Sequence, residues 1–166
     1  MTIAALIYGP GSDPALVLAN VVAKLRQRGV ALAGVIQHSS EDCSMTLELL
    51  PSGLRIPISQ SLGVASGACR LDSSALAQAA SLVRKAIDAS PALVVFNKFG
   101  AQEAAGCGMR DEMLKAAMAG LSMIVPVRDS LLPQWKEFVG GDFVQLDCDA
   151  NAALAWWDAQ TQRSMV

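Results

Sequence analysis

The sequence feature that most constrains the fold is the stretch Ala92-Leu-Val-Val-Phe-Asn-Lys-Phe-Gly100. Its apolar part runs without alternation, follows a helix-like segment and Pro91, and stops abruptly at Asn97 and Lys98. A run this short and this uniformly apolar reads as a parallel strand covered on both faces. Polar residues at the carboxyl end of such a strand fall on the edge where open α/β sheets bind ligands. Asn97, Lys98 and Gly100 are therefore candidate site residues, and the other segments read as scaffold for that edge.

Taken in order, Thr2 to Tyr8 is a first apolar strand, followed by the turn Gly9-Pro-Gly-Ser-Asp-Pro14 and a helix to about Arg28. Asp13 suits the N-cap, Pro14 the first helical position, and Gly29 the far end. Ala31 to Gln37 is a second strand that carries His38, the only histidine, to its end. Ser44 to Leu50 and Leu54 to Ile58, around the turn Pro51-Ser-Gly53, alternate as a β-hairpin does. Ser59 to Arg70 is small, polar and glycine-bearing, as in a loop covering a site, where Arg55, Gln60 and Arg70 would offer donors to an anion.

A helix from Asp72 or Ser73 to about Ser90 leads into the central strand. Gln102 to Ala105 starts a helical turn, Gly106-Cys-Gly108 interrupts it, and Met109 to Ala119 resumes it. Leu121 to Val127 is another buried strand, Leu132 to Phe138 a short helix, Phe143 to Leu146 an edge strand, and Asn151 to about Gln162 a last helix. Trp156 and Trp157 on that helix read as packing anchors. Alternating strands and helices with short connections imply one three-layer, mostly parallel α/β domain over residues 1–166, with a β-hairpin insertion at about 43–70. The carboxyl ends of its strands converge, bringing Gly9 to Asp13, His38 and Asn97 to Gly100 to one edge.

Composition narrows the function. The net charge of −2 and scattered Lys and Arg give no basic field for nucleic acid. No apolar run approaches the ~20 residues of a membrane helix, and the first residues lack the positive region of a signal peptide, so no membrane insertion and a cytoplasmic location are expected. The four cysteines form no CxxC pair and read as thiols. Cys43, Cys69 and His38 make a conceivable soft-ligand set, but their separations match no compact metal motif. The turn at Gly9, Gly11 and Ser12 has the strand-turn-helix layout of a phosphate loop, whose backbone N–H groups attract anions. It lacks the second glycine, lysine and hydroxyl of GxxxxGK[ST], so an ordinary capped turn explains it equally well.

The combination Tyr8-Gly-Pro-Gly-Ser, Gly34-Val-Ile-Gln, Ile58-Ser-Gln-Ser-Leu-Gly63, Cys69-Arg-Leu-Asp72 and Asn97-Lys-Phe-Gly-Ala-Gln-Glu103 resembles an uncharacterised bacterial family known by a domain-of-unknown-function label. Its members often carry the label of molybdenum transporter ATP-binding proteins. More distantly, the layout is similar to small P-loop nucleoside-triphosphatases in which a strand ends in Asp-Glu-Ile-Gly, with Lys-Met-Glu following. That likeness implies a P-loop-NTPase-like fold. It puts Asn97 at the magnesium-linked aspartate, Lys98 at the water-activating glutamate and Glu103 at the later glutamate. Both catalytic carboxylates are then replaced, and no magnesium site is expected.

The expected function is a catalytically degenerate P-loop-like protein that binds a small anion, a nucleotide phosphate or an oxyanion such as molybdate, in a sensing or accessory role. Gly9, Gly11, Ser12, Gln60, Arg70, Asn97, Lys98 and Gly100 are its candidate anion-binding residues, and His38, Cys43, Cys69, Asp72 and Glu103 are accessory. Two alternatives stay open. One is a divergent nucleoside-triphosphatase or phosphotransferase using Glu103 or Asp72 as base. The other is a protein-interaction subunit, homo-oligomeric or bound to a protein partner, docking through an exposed apolar stretch at Leu131-Leu-Pro-Gln-Trp135.

Overall fold

In the computed structural model, residues 1–41, 44–61 and 69–165 are described. A seven-stranded sheet runs through the middle in the order β4-β3-β2-β7-β8-β1-β9. β1 (Ile3–Tyr8), β2 (Leu32–Ser39), β7 (Leu93–Val95), β8 (Met123–Arg128) and β9 (Val144–Asp147) are parallel to one another. β3 (Met45–Leu50) and β4 (Arg55–Pro57) extend the sheet antiparallel beyond β2. The anticipated hairpin insertion is thus an extension of the main sheet. The segment anticipated as a loop contains a separate antiparallel pair, β5 (Ser59–Ser61) with β6 (Cys69–Leu71), in which Gln60 faces Arg70 along the backbone.

Helices cover both faces. α1 (Pro14–Gln27) and α6 (Ala150–Ser164) bury Leu18, Val21, Val22, Leu25, Trp156 and Trp157 against Leu6, Ile36, Leu93, Val95 and Ile124. α2 (Ser73–Asp88), α4 (Arg110–Met118) and α5 (Leu132–Val139) pack on the other face, over Val35, Val94, Phe96, Met123 and Val125. Successive strand residues point to opposite faces, so a strand covered on both sides needs apolar residues at every position. That accounts for the uninterrupted run Leu93 to Phe96, whose four residues are all fully buried. Each contributes up to about 1.5–3 kcal/mol by leaving water.

α1 and α2 begin where the caps anticipate: Asp13 accepts from the N–H of Leu16 (3.1 Å) and Asp72 from those of Ser74 and Ala75 (3.0 and 3.1 Å). α6 starts one residue before the expected Asn151, capped by Asp149, which accepts from the N–H of Ala152 (3.0 Å). α3 (Ala101–Ala104) is a single turn separated from α4 by Gly106 and Gly108, both with positive φ. One expectation is corrected. Trp135 is no part of an exposed apolar stretch: it is fully buried, edge-on to Phe99 with ring centroids 5.2 Å apart and in contact with Phe138 and Phe143. Clustered rings gain contact energy beyond their area, so α5 turns this ring inward.

Where the parallel part of the sheet meets the hairpin, Gly34 sits at φ +114°, and a Cβ there would lie 1.8 Å from the carbonyl oxygen of Val95. β2 can approach β7 this closely because residue 34 has no side chain. Gly34→Ala is expected to destabilise the protein by at least about 3 kcal/mol. Gly29→Ala, whose added Cβ meets nothing within 4 Å, should cost only about 1–2 kcal/mol through its positive φ. Denaturant midpoints compare the two, and equal losses would contradict this account of the β2–β7 approach.

Candidate functional site

The end of β7 departs from its ladder at the residues the sequence singles out. Val94 pairs with Met123 and Val95 with Ile124, and the next pairing is Phe99 with Val127. Between these points Phe96, Asn97 and Lys98 stand opposite only Val125 and Pro126. One extra residue on one strand is a β-bulge, a device that re-aims side chains. Pro126 fits the partner position. Its carbonyl accepts from the N–H of Phe99 at 2.8 Å, on the β7 side, and proline has no N–H to leave unpaired there.

The chain after the bulge is held by a buried carboxylate. Glu103, 6% exposed, accepts from the N–H of Gly100 at 3.0 Å and of Met109 at 3.4 Å. It thereby ties the start of α3 to the start of α4. Gly108 makes room for it, since a Cβ at 108 would sit 2.5 Å from Oε1 of Glu103. Lys98 is exposed and makes no ion pair with any described residue. The amide nitrogen of Asn97 donates to Oε1 of Gln37 at 3.2 Å, while its buried Oδ1 has no partner among the described residues.

Asn97, Lys98, Gly100 and Glu103 border a cavity of about 640 Å³ between the end of β7, the outer strands and the first turns of α2. Sequence reasoning missed several of its lining residues: Gln37, Ser73, Gln102 and Cys107 among the polar ones, Met45, Leu47, Leu71 and Leu76 among the apolar. Gln102 was within sight, since it belongs to the same Asn97-to-Glu103 motif. Gln37 and Ser73 could be added only once the strand order put β2 beside β7.

Other candidates lie elsewhere. Gly9, Gly11 and Ser12 are at the end of β1, with β8 between them and β7, so the two backbones stand roughly 10 Å apart at ~4.8 Å per strand. The N–H of Ser12 is taken up by the carbonyl of Gly9 at 3.2 Å, and a Cβ on Gly9 would meet Oδ2 of Asp129 at 2.9 Å. Two carboxylates, Asp13 and Asp129, thus attend this turn. The ring of His38 is 3.0 Å from Oε1 of Glu48, which also accepts from Arg55 (3.4 Å), while Oε2 accepts from Arg26 (2.9 Å), away from the cavity.

Asp72 caps α2. Gln60, Cys69 and Arg70 belong to β5 and β6 by their backbones, and their side chains, like all of Cys43, lie outside the described residues. Among the described residues no three His, Cys, Asp or Glu side chains gather as a metal ion would require, and no helix is long and apolar enough to cross a membrane.

A family model described as "Protein of unknown function (DUF2478)" matches residues 3–156. The chain is 35% identical over 166 residues to the protein named "Molybdenum import ATP-binding protein ModC 2" of Bradyrhizobium diazoefficiens, covering 97% of this chain but only 18% of that protein's length. Two solved structures share the fold. One is a human cancer-related nucleoside triphosphatase (TM-score 0.65, 14% identity, 89% of this chain and 88% of that one). The other is THEP1 from Aquifex aeolicus (TM-score 0.64, 12% identity, 91% of each chain). The mixed α/β fold with a mostly parallel sheet is thus that of small P-loop nucleoside-triphosphatases.

The Glu48 cluster predicts a pH dependence. Burial pushes the Glu48 carboxyl up, but hydrogen bonds and charges from Arg26 and His38 outweigh it and hold its pKa below the ordinary 4.5. A depressed folded value means that the contribution is complete above 4.5 and is lost as pH falls through that lower value. The stability advantage of the wild type over Glu48→Gln should therefore shrink between about pH 5 and about pH 3 in urea titrations. An advantage that stays constant over that range would contradict the assignment.

Proposed function

The chain belongs to the DUF2478 family, and we propose that it is a catalytically degenerate P-loop-like protein that binds a small anion, a nucleotide phosphate or an oxyanion such as molybdate, in a sensing or accessory role. The observation that carries this reading is Lys98, a cation at the carboxyl end of the central strand, bordering the cavity and without an ion pair among the described residues. Beside an anion, such a charge is worth between ~1 kcal/mol in water and ~4 kcal/mol in a partly buried site, before desolvation. The molybdenum named in the Bradyrhizobium relative favours molybdate among inorganic candidates.

The residues at the other end of the fold's usual nucleotide site do not fit a magnesium-bound triphosphate. Counted from Gly9, the phosphate-loop lysine and metal-binding hydroxyl positions hold Ala15 and Leu16, Asp13 caps α1 at the place a phosphate would take, and Asp129 lies against Gly9. Asn97 and Lys98 stand where the resemblance to the triphosphatases puts carboxylates. We therefore centre the anion on Lys98, with Asn97 beside it, Gly100 bordering the site while its N–H is held by Glu103, and Gln60 and Arg70 as contacts from the β5–β6 segment, and leave Gly9, Gly11 and Ser12 a secondary place. A hydrolase using Glu103 as base has less support, because both oxygens of Glu103 accept from backbone amides.

Lys98→Ala should weaken anion binding by about 10- to 100-fold, the worth of a hydrogen bond to a charged group. Its midpoint of thermal unfolding should stay close to wild type, since an exposed side chain is removed. Titration calorimetry with phosphate, sulfate, molybdate and nucleotides checks both arms. Unchanged affinity in a folded variant would overturn the assignment.

A further inference from the structure

We infer that the cavity beside Lys98 takes an amphipathic organic anion, with one anionic group at Lys98 and an apolar body of roughly 10 to 20 non-hydrogen atoms along the opposite wall. This rests on the anion reading of Lys98 and specifies its ligand.

Size is the first argument. A tetrahedral oxyanion displaces roughly two or three waters, about 60–90 Å³ at ~30 Å³ each. The cavity measures about 640 Å³, within the range of pockets that hold organic ligands. An inorganic ion on Lys98 would leave most of it unfilled.

Polarity is the second. The charged and amide groups of the described lining, Lys98, Asn97, Gln37, Gln102 and Glu103, belong to the strand ends and the turn after β7, and both oxygens of Glu103 are taken up by the N–H groups of Gly100 and Met109. The rest of the described lining is largely apolar: Met45 and Leu47 project from one face of β3, Ile58 precedes β5, Leu71 ends β6, and Leu76 comes from α2. Met45, Leu71 and Leu76 are only half-buried, so apolar surface facing the cavity remains to be covered. Ala77 and Ala80 on α2 supply small side chains where larger ones would close the space. A cavity with a cation and amides at one side and an apolar wall at the other matches a ligand built the same way.

The experiment uses the full chain and two homologous series of probes: inorganic phosphate, butyl phosphate and 2-naphthyl phosphate, and acetate, hexanoate and decanoate. Molybdate is added as a second inorganic ion. Titration calorimetry gives affinities for wild type and Lys98→Ala. Alkylation of Cys107, an exposed thiol bordering the cavity, followed by peptide mass mapping, reports where the probe sits. Cys148, which does not border the cavity, is the internal control.

Affinity should rise along at least one series by tenfold or more, at about fourfold per methylene fully buried. The tightest member should lose tenfold or more in Lys98→Ala and should slow alkylation of Cys107 but not of Cys148. The series that responds identifies the head group as phosphate or carboxylate.

If inorganic ions bind as tightly as the organic ones and both depend on Lys98, this inference is overturned and the anion reading stands. Organic probes that bind tightly but equally well to Lys98→Ala overturn both. Binding without protection of Cys107 puts the ligand elsewhere and overturns the inference, and no binding by any probe overturns both.

Discussion

Burial of β7 on both faces is the constraint on which the rest of the architecture depends. A strand with helices above and below and parallel neighbours on either side has no tolerance for a polar side chain along its length. Leu93, Val94, Val95 and Phe96 meet that demand completely. The neighbour on one side, β2, comes close enough only because Gly34 presents no Cβ to the carbonyl of Val95. Charge can then appear only where the strand ends. The bulge opposite Pro126 turns that end outward, so the position of Lys98 follows from the ladder as well as from the composition of the strand.

What fixes the loop beyond the strand is a single buried carboxylate. Glu103 binds backbone amides from both sides of the Gly106-to-Gly108 break. A carboxylate so engaged organises structure and has little left to offer a substrate proton. At the other edge, Asp13 and Asp129 attend the turn after β1, where an anion would otherwise find helix-terminal N–H groups. The fold is that of small P-loop nucleoside-triphosphatases, and along the carboxyl edge of its sheet acids lie beside the turn after β1 and a cation lies at the central strand.

Much of this fold was legible in the sequence because its signals are local. Uniform apolar runs marked the central strands, Asp13 and Asp72 marked helix starts, and the alternation around Pro51-Ser-Gly53 marked a hairpin. The family resemblance, carried by the Asn97-to-Glu103 motif, was legible for the same reason. The less legible features depend on partners distant in the chain. Whether Ser59 to Leu71 pairs with itself, and whether Trp135 faces in or out, turns on what packs against each. His38 was placed correctly at a strand end, but its engagement with Glu48 depends on the β2–β3 register. Likewise, the convergence of strand ends on one edge hid the fact that β8 separates the Gly9 turn from Lys98, and that the cavity is lined by α2 and β3 and by no residue of that turn.

We propose that the ligand edge of this fold lies at the end of β7 rather than at the turn after β1. Amide chemical shifts during titration with an anion test it most directly, because the two places report through different residues. The account predicts that the amides of Lys98, Gly100, Ala101 and Ser73 move with saturation while those of Gly11, Ser12 and Asp13 stay in place. Saturable shifts confined to Gly11, Ser12 and Asp13 would contradict it and return the anion to the turn.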